Sequence, residues 1–205
     1  MISSPNPRGR PADAKARAER RVQILAAAQR CFVRKGFHAS TTAELSAEAQ
    51  ISVAGLYQYF PSKEDLVLAL IEADLEQSIR LIEEIIQDSD FFHGIEQALL
   101  AVIEDEQLRA FATLRLEILA EASRSAVVAD MVASSDQRLV GALVQAITLA
   151  QAKGQLRQDA DPYEAALSMI CICDGIFARL VLPPAARGHF VKSSVNLARQ
   201  AFSPR

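Results

Sequence analysis

Apolar positions recur at helical spacing along most of the chain. Between Lys15 and Lys35, Val22, Leu25, Ala28, Phe32 and Val33 mark one stripe, with Arg17, Arg20, Arg21 and Arg34 largely off it, which predicts a long amphipathic helix. Gly36 is placed to end that helix as a C-cap, and Phe37 to anchor the loop that follows. Thr41-Thr42-Ala43-Glu44 then reads as a capping box, in which a hydroxyl and a Glu three residues on satisfy backbone donors at a helix start. Leu45 and Ala49 share one face of this short helix, Gln50-Ile51-Ser52 breaks the period, and Ser52 caps a second short helix through Tyr59. A fourth helix, opened by Pro61-Ser62-Lys63-Glu64-Asp65, carries Leu66, Leu70, Leu75, Ile79, Ile82 and Ile86 to about Gln87. Further apolar helices are expected near 91–105, 107–123, 125–153, 162–182 and 187–202. The breaks between them fall at Asp88-Ser89-Asp90, Ser123 to Ser125, Gly154, Asp161-Pro162 and Pro183-Pro184.

This is an all-α chain, and its composition agrees: half of its 205 residues are hydrophobic, with only eight Gly and eight Pro. The three cysteines form no C-x-x-C pair, which argues against a disulfide framework or zinc site. Cys31, Cys171 and Cys173 are read as small core residues in a reducing compartment. The most apolar run, Ala165 to Leu182, is interrupted by Asp174 and Arg179, so no membrane span is expected and a soluble, cytoplasmic protein is. Charge changes the picture more than composition does. Through Lys63 there are ten basic and four acidic residues, a balance of +6, whereas the remainder carries −9. A basic head on an acidic body is the asymmetry of a chain whose one end meets phosphates.

The segment Thr41 to Phe60 supplies the chemistry that such a head needs. Two short helices joined by a tight turn form a helix-turn-helix, whose second helix enters the major groove of DNA. Exposed Tyr57, Gln58, Tyr59 and Lys63 distinguish it from an ordinary core hairpin. Ile24-Leu25-Ala26-Ala27-Ala28, Phe32, Gly36, Thr41-Thr42, Leu45, Ala49, Ser52, Leu56-Tyr57-x-Tyr59-Phe60 and Ser62-Lys63-Glu64-x-Leu66 all fall in register with one known pattern. Over residues 18 to 78 the chain resembles the DNA-binding domain of the TetR (tetracycline repressor) family of bacterial transcription regulators. The resemblance implies Thr42, Tyr59 and Lys63 at the DNA backbone, and Ser52, Val53, Ala54, Gly55, Tyr57 and Gln58 at or near base edges, with Thr41 a further candidate DNA contact. It also implies a fourth helix that transmits an effector signal by pendulum motion. Three departures stand out: Gln50 in place of the usual turn glycine, Val53 where a polar residue is common, and Ala54-Gly55 for Gly-Thr or Gly-Ser. The first turn of the reading helix therefore has no side-chain donor. Base reading then rests on apolar contact of Val53 with a thymine methyl, on Tyr57 and Gln58, and on DNA shape.

Three regions follow: residues 1–14 as a disordered basic arm, 15–62 as the helix-turn-helix domain, and 63–205 as the effector-binding and dimerisation domain. Arg8-Gly9-Arg10 in the arm resembles the core of an AT-hook, with both arginines suited to a narrow minor groove; a loose basic arm adding phosphate attraction is the competing reading. In the body, Leu156, Asp161-Pro162 and Asp174-Gly175 are similar to the betaine-regulator-like branch of the family. Phe111, Arg115, Ile118, Asp174 and Phe177 are candidate effector contacts. Arg115 and Asp174 each lie among apolar neighbours, where a charge needs a partner; Arg115 could serve an anionic effector, but a structural salt bridge or a snorkelling stem is favoured. The whole reads as a regulator that binds a near-palindromic double-stranded operator as a homodimer through its last two helices and is released by a small molecule. An A·T-preferring architectural protein is the alternative. No phosphate loop, metal-ligand spacing or nucleophile motif points to an enzyme, and no cofactor or metal is expected; His38, His93 and His189 are scattered.

Overall fold

A computed structural model describes residues 11–204, and among these all regular structure is α-helix. The elements are α1 (Pro11–Lys35), α2 (Thr42–Glu48), α3 (Val53–Tyr59), α4 (Lys63–Gln87), α5 (Phe91–Glu104), α6 (Glu106–Ala122), α7 (Ala126–Ala152), α8 (Pro162–Phe177) and α9 (Pro184–Phe202). The chain divides into two compact units between Leu66 and Val67, inside α4. Arg8 and Arg10 lie outside the described residues. Pro11 to Ala14, expected in the arm, already belong to α1.

In the first unit α1 packs on α2, and α2 on α3. The buried face of α1 is Ile24, Ala27, Ala28, Cys31 and Phe32, a stripe rotated from the expected one, and Val22 is 65 % exposed. Four small or apolar residues at 24, 27, 28 and 31 outcompete the two valines for the core-facing side. Gly36 takes a φ of 78° and its N–H closes on the Phe32 carbonyl, the left-handed stop that a Cβ would oppose. At the start of α2 both halves of the capping box form: the Thr41 hydroxyl accepts from the Glu44 N–H and Glu44 accepts from the Thr41 N–H. Ser52 caps α3 by accepting from the Gly55 N–H at 3.0 Å. Between them Gln50 has a φ of 55°, the left-handed turn that the missing glycine would occupy without strain.

The second unit is built on pairings of α5 with α9 and α6, of α7 with α6 and α8, and of α8 with α9 and α6. Its core runs through Leu75, Ile82, Phe91, Phe92, Leu99, Val102, Ala146, Ile147, Ala166, Val191 and Val195. Asp90, Asp105, Ser125 and Asp161 cap α5, α6, α7 and α8, so the polar breaks in the apolar pattern are the helix starts themselves. Gly94 lets α5 meet the end of α4, since a Cβ there would lie 3.0 Å from the Ile85 carbonyl oxygen. Two boundaries differ from expectation. α8 stops at Phe177, where the N–H groups of Arg179 and Leu180 turn to i−3 carbonyls, and α9 starts at Pro184 because proline fits a first helical turn. Cys31 is buried and Cys173 half-buried, but Cys171 is exposed, so the expectation of three core cysteines fails at that position.

Candidate nucleic-acid interface and effector cavity

The reading helix α3 presents its outer face to solvent. Val53 is 40 % and Tyr57 46 % exposed, Ser52, Ala54 and Gln58 are exposed, and Gly55 and Tyr59 are half-buried. Leu56 and Phe60 supply its buried side. Thr41 is exposed and Thr42 half-buried at the start of α2. The expected base-edge residues therefore share one accessible surface.

Several basic residues serve the head itself. Arg17 donates to the Gln58 carbonyl at 3.1 Å, and Arg21 to the Tyr59 carbonyl at 3.2 Å. Their guanidinium groups also lie over the Tyr59 and Phe60 rings, at 5.2 and 4.2 Å from the centroids. The last carbonyls of α3, which no helix can satisfy internally, thus meet cations, the favourable charge for a helix C-terminus. Arg20 reaches the Gln50 carbonyl at 3.5 Å and so braces the strained turn. Arg30 and Arg34 bind Glu48 at 2.8 and 3.3 Å. Lys35 pairs with Glu44, and with the Thr41 N–H it holds that carboxyl at about 2. Lys63 donates to the Phe37 carbonyl, with its ammonium 4.2 Å from the Phe37 ring centre. The basic excess is in good part a scaffold for aiming α3, a role that charge counting did not reveal.

The second unit holds a cavity of about 130 Å³. Leu81, Ile82 and Ile85 of α4, Phe91, Ile95, Leu99 and Val102 of α5, Leu139, Leu143 and Ala146 of α7, Met169, Ile172 and Phe177 of α8, and Val195 and Ala198 of α9 supply its apolar wall. Such a volume is on the scale of an engineered apolar cavity that takes benzene. Ser78, Arg115 and Asp174 bring polar groups to it. Of the expected effector contacts, Arg115, Asp174 and Phe177 line the cavity, whereas half-buried Phe111 and buried Ile118 do not. α6 contributes Arg115 alone to the lining.

Arg115 and Asp174 are each other's partner. The guanidinium Nε donates to Asp174 Oδ1 at 2.7 Å, Nη2 to Asp136 Oδ1 at 3.5 Å, and Nη1 lies 3.7 Å from Asp74 Oδ2. Sequence reasoning missed Asp74 and Asp136. Asp74 left a signal, a carboxylate amid Leu70, Ile71 and Leu75 on the buried stripe of α4. Its burial raises the carboxyl to about 6 although Arg115 pulls it down. The carboxylates hold the Arg115 proton more firmly than usual despite its burial. Burial and the adjoining Asp174 carboxylate push the Cys173 thiol up to about 12, so at neutral pH it is no nucleophile.

An exposed helix-turn-helix edge in one unit and an apolar cavity with a charged end in the other define a ligand-responsive DNA-binding regulator. Residues 24–70 match the model for bacterial regulatory proteins of the tetR family, and residues 93–194 match that for the C-terminal domain of BetI-type transcriptional repressors. The chain belongs to the TetR family of bacterial transcription regulators and is not an enzyme. It is 27 % identical over 169 residues to the HTH-type transcriptional regulator UidR of Escherichia coli K12, covering 82 % of this chain and 84 % of UidR. The structure of Salmonella enterica GusR superposes with a TM-score of 0.79 at 27 % identity, over 89 % of this chain and 94 % of GusR. The regulator FadR of Bacillus subtilis in complex with stearoyl-CoA shares the fold, with a TM-score of 0.69 at 18 % identity over 86 % and 96 % of the two chains. Among the described residues no helix is long and apolar enough to cross a membrane.

Proposed function

We propose that this protein is a repressor that holds a near-palindromic operator as a homodimer and leaves it when a small molecule fills the cavity of the second unit. One observation carries the reading: α4 is a single helix from Lys63, at the helix-turn-helix end, to the cavity-lining residues Ser78, Leu81, Ile82 and Ile85. A ligand that favours one setting of α4 changes the fraction of dimers whose two reading helices match successive major grooves, about 34 Å apart. Emptying an almost fully occupied operator needs roughly 5 kcal/mol of differential binding.

Thr41, Thr42, Tyr59 and Lys63 would position the head on phosphates, and Ser52, Val53, Ala54, Gly55, Tyr57 and Gln58 would face base edges. Val53 carries no hydrogen-bonding side-chain atom, so its contribution is apolar contact with a thymine methyl. Replacing single operator thymines by uracil removes only that methyl. At one position per half-site affinity should fall by about fivefold, roughly 1 kcal/mol; unchanged affinity at every position rules the contact out.

Dimerisation through α8 and α9 is supported by the apolar side chains those helices leave at the surface. Tyr163 and Leu167 of α8 are 54 % and 36 % exposed, and Phe190 and Leu197 of α9 are 42 % and 63 % exposed. Apolar side chains clustered on paired helices mark an association surface. Leu197→Glu places a charge there without touching either core. Light scattering should then report monomers at micromolar concentration, with at least a tenfold loss of operator affinity. A variant that stays dimeric and binds normally contradicts this interface.

A further inference from the structure

Around the polar end of the cavity one guanidinium stands among three carboxylates. Among the described residues Arg115 is the cation that pairs with all three carboxylates, and Asp74, Asp136 and Asp174 come from α4, α7 and α8. With all three ionised the cluster carries two excess negative charges, and Asp74, which burial holds at about 6, keeps most of its charge at pH 7. An arginine is always protonated and has five N–H donors in a fixed fork. Here Nε, Nη1 and Nη2 are all directed to aspartates, so a ligand carboxylate would compete with three resident ones for the same cation. An anion entering this end meets net repulsion in a surrounding of low dielectric.

Asp174 is the cavity-lining carboxylate. A carboxylate accepts about four hydrogen bonds, and Arg115 is the one described side chain that donates to it. Its side chain is 27 % exposed, against 11 % for Arg115, so the acid is more accessible than the base. Apart from Arg115, the Ser78 hydroxyl and the sulfur-bearing Met169 and Cys173, the other lining residues are aliphatic or aromatic. The fold does not dictate the ligand; the charge at the cavity end does.

We propose that the effector is an amphipathic cation, with an apolar body about the size of one ring in the cavity and a protonated or quaternary nitrogen against Asp174. The inference rests on the cavity being the effector site. Three probes with the same body separate charge from shape: 2-phenylethylammonium, 2-phenylethanol and 3-phenylpropanoate. Binding to the full chain is measured by calorimetry at pH 7.5, with thermal denaturation alongside. The ammonium should bind at least about tenfold tighter than the carboxylate, as a half-buried ion pair supplies, with the alcohol between them. Asp174→Asn should remove most of the ammonium's advantage and leave alcohol binding nearly unchanged. Ala98→Leu, at a cavity-lining position on α5 that carries no charge, should weaken all three probes alike. Where Asp174→Asn loses its melting transition, Asp136→Asn takes its place and should reduce the same advantage. Equal affinity for the three, a preference for the carboxylate, or an advantage untouched by these Asn variants overturns the charge assignment. Binding indifferent to Ala98→Leu, or absent for every probe, overturns the effector-site reading and this inference with it.

Discussion

Asp74 shows how a single buried charge sets the behaviour of the second unit. It is 9 % exposed and faces a guanidinium that Asp136 and Asp174 also claim, and desolvation dominates its titration. Its folded value, about 6, lies above the usual 3.8. The folded state therefore binds this proton more tightly than the unfolded state. The resulting stability is fully present below about pH 4 and is lost as pH rises through 6. Asp74→Asn mimics the protonated form and should raise the unfolding free energy by about 1–3 kcal/mol at pH 7.5, a gain that shrinks below pH 6 and vanishes near pH 4. Urea unfolding at those pH values checks it, and destabilisation at pH 7.5 contradicts it. Gln50 is the other costly residue. Its left-handed backbone costs about 1–2 kcal/mol, and the strain is held by the Arg20 contact and the caps on either side.

At the scale of elements, the short helix α3 is positioned from both ends. Ser52 caps its start, and Arg17 and Arg21 of α1 hold its final carbonyls. Seven residues make too little helix to be stable alone, so its orientation depends on these contacts and on Leu56. Arg21→Ala should lower operator affinity about three- to tenfold through misplacement of α3. Because the side chain serves a carbonyl, the slope of log affinity against log salt should stay within about 0.3 of wild type. Loss of a phosphate contact would instead lower it by about 0.9. Binding followed by fluorescence anisotropy between 50 and 200 mM salt separates the two. Such clamps were hard to read in advance, because an arginine off an apolar stripe looks the same whether it faces phosphate or a carbonyl. Caps were legible: Thr41, Glu44, Ser52, Asp161 and Gly36 act through neighbours three or four residues away, which spacing reveals. The pairing of Arg115 with Asp174 spans 59 residues, and each charge alone showed only that it needed a partner.

For the whole molecule, the all-α class and the helix-turn-helix were readable because helical periodicity and turn chemistry are local. The cavity was not, since six helices contribute to it and its size depends on side-chain packing that no single stripe encodes. The charge asymmetry between head and body pointed to DNA, yet in the structure part of that basic excess is spent inside the head. On the proposed reading, sequence preference comes from the accessible residues Val53, Ala54, Tyr57 and Gln58, presented twice by a dimer. The most direct test is selection of bound sites from a random duplex pool by the full-length protein at 150 mM salt, alongside protein lacking residues 1 to 10 and the Tyr57→Ala variant. The expected result is one two-fold symmetric site whose half-sites lie about one helical turn apart. The truncated protein should keep that site at lower affinity, and Tyr57→Ala should lose it. Enrichment of A·T-rich DNA without symmetry, abolished by the truncation and indifferent to Tyr57→Ala, would contradict an operator-reading dimer.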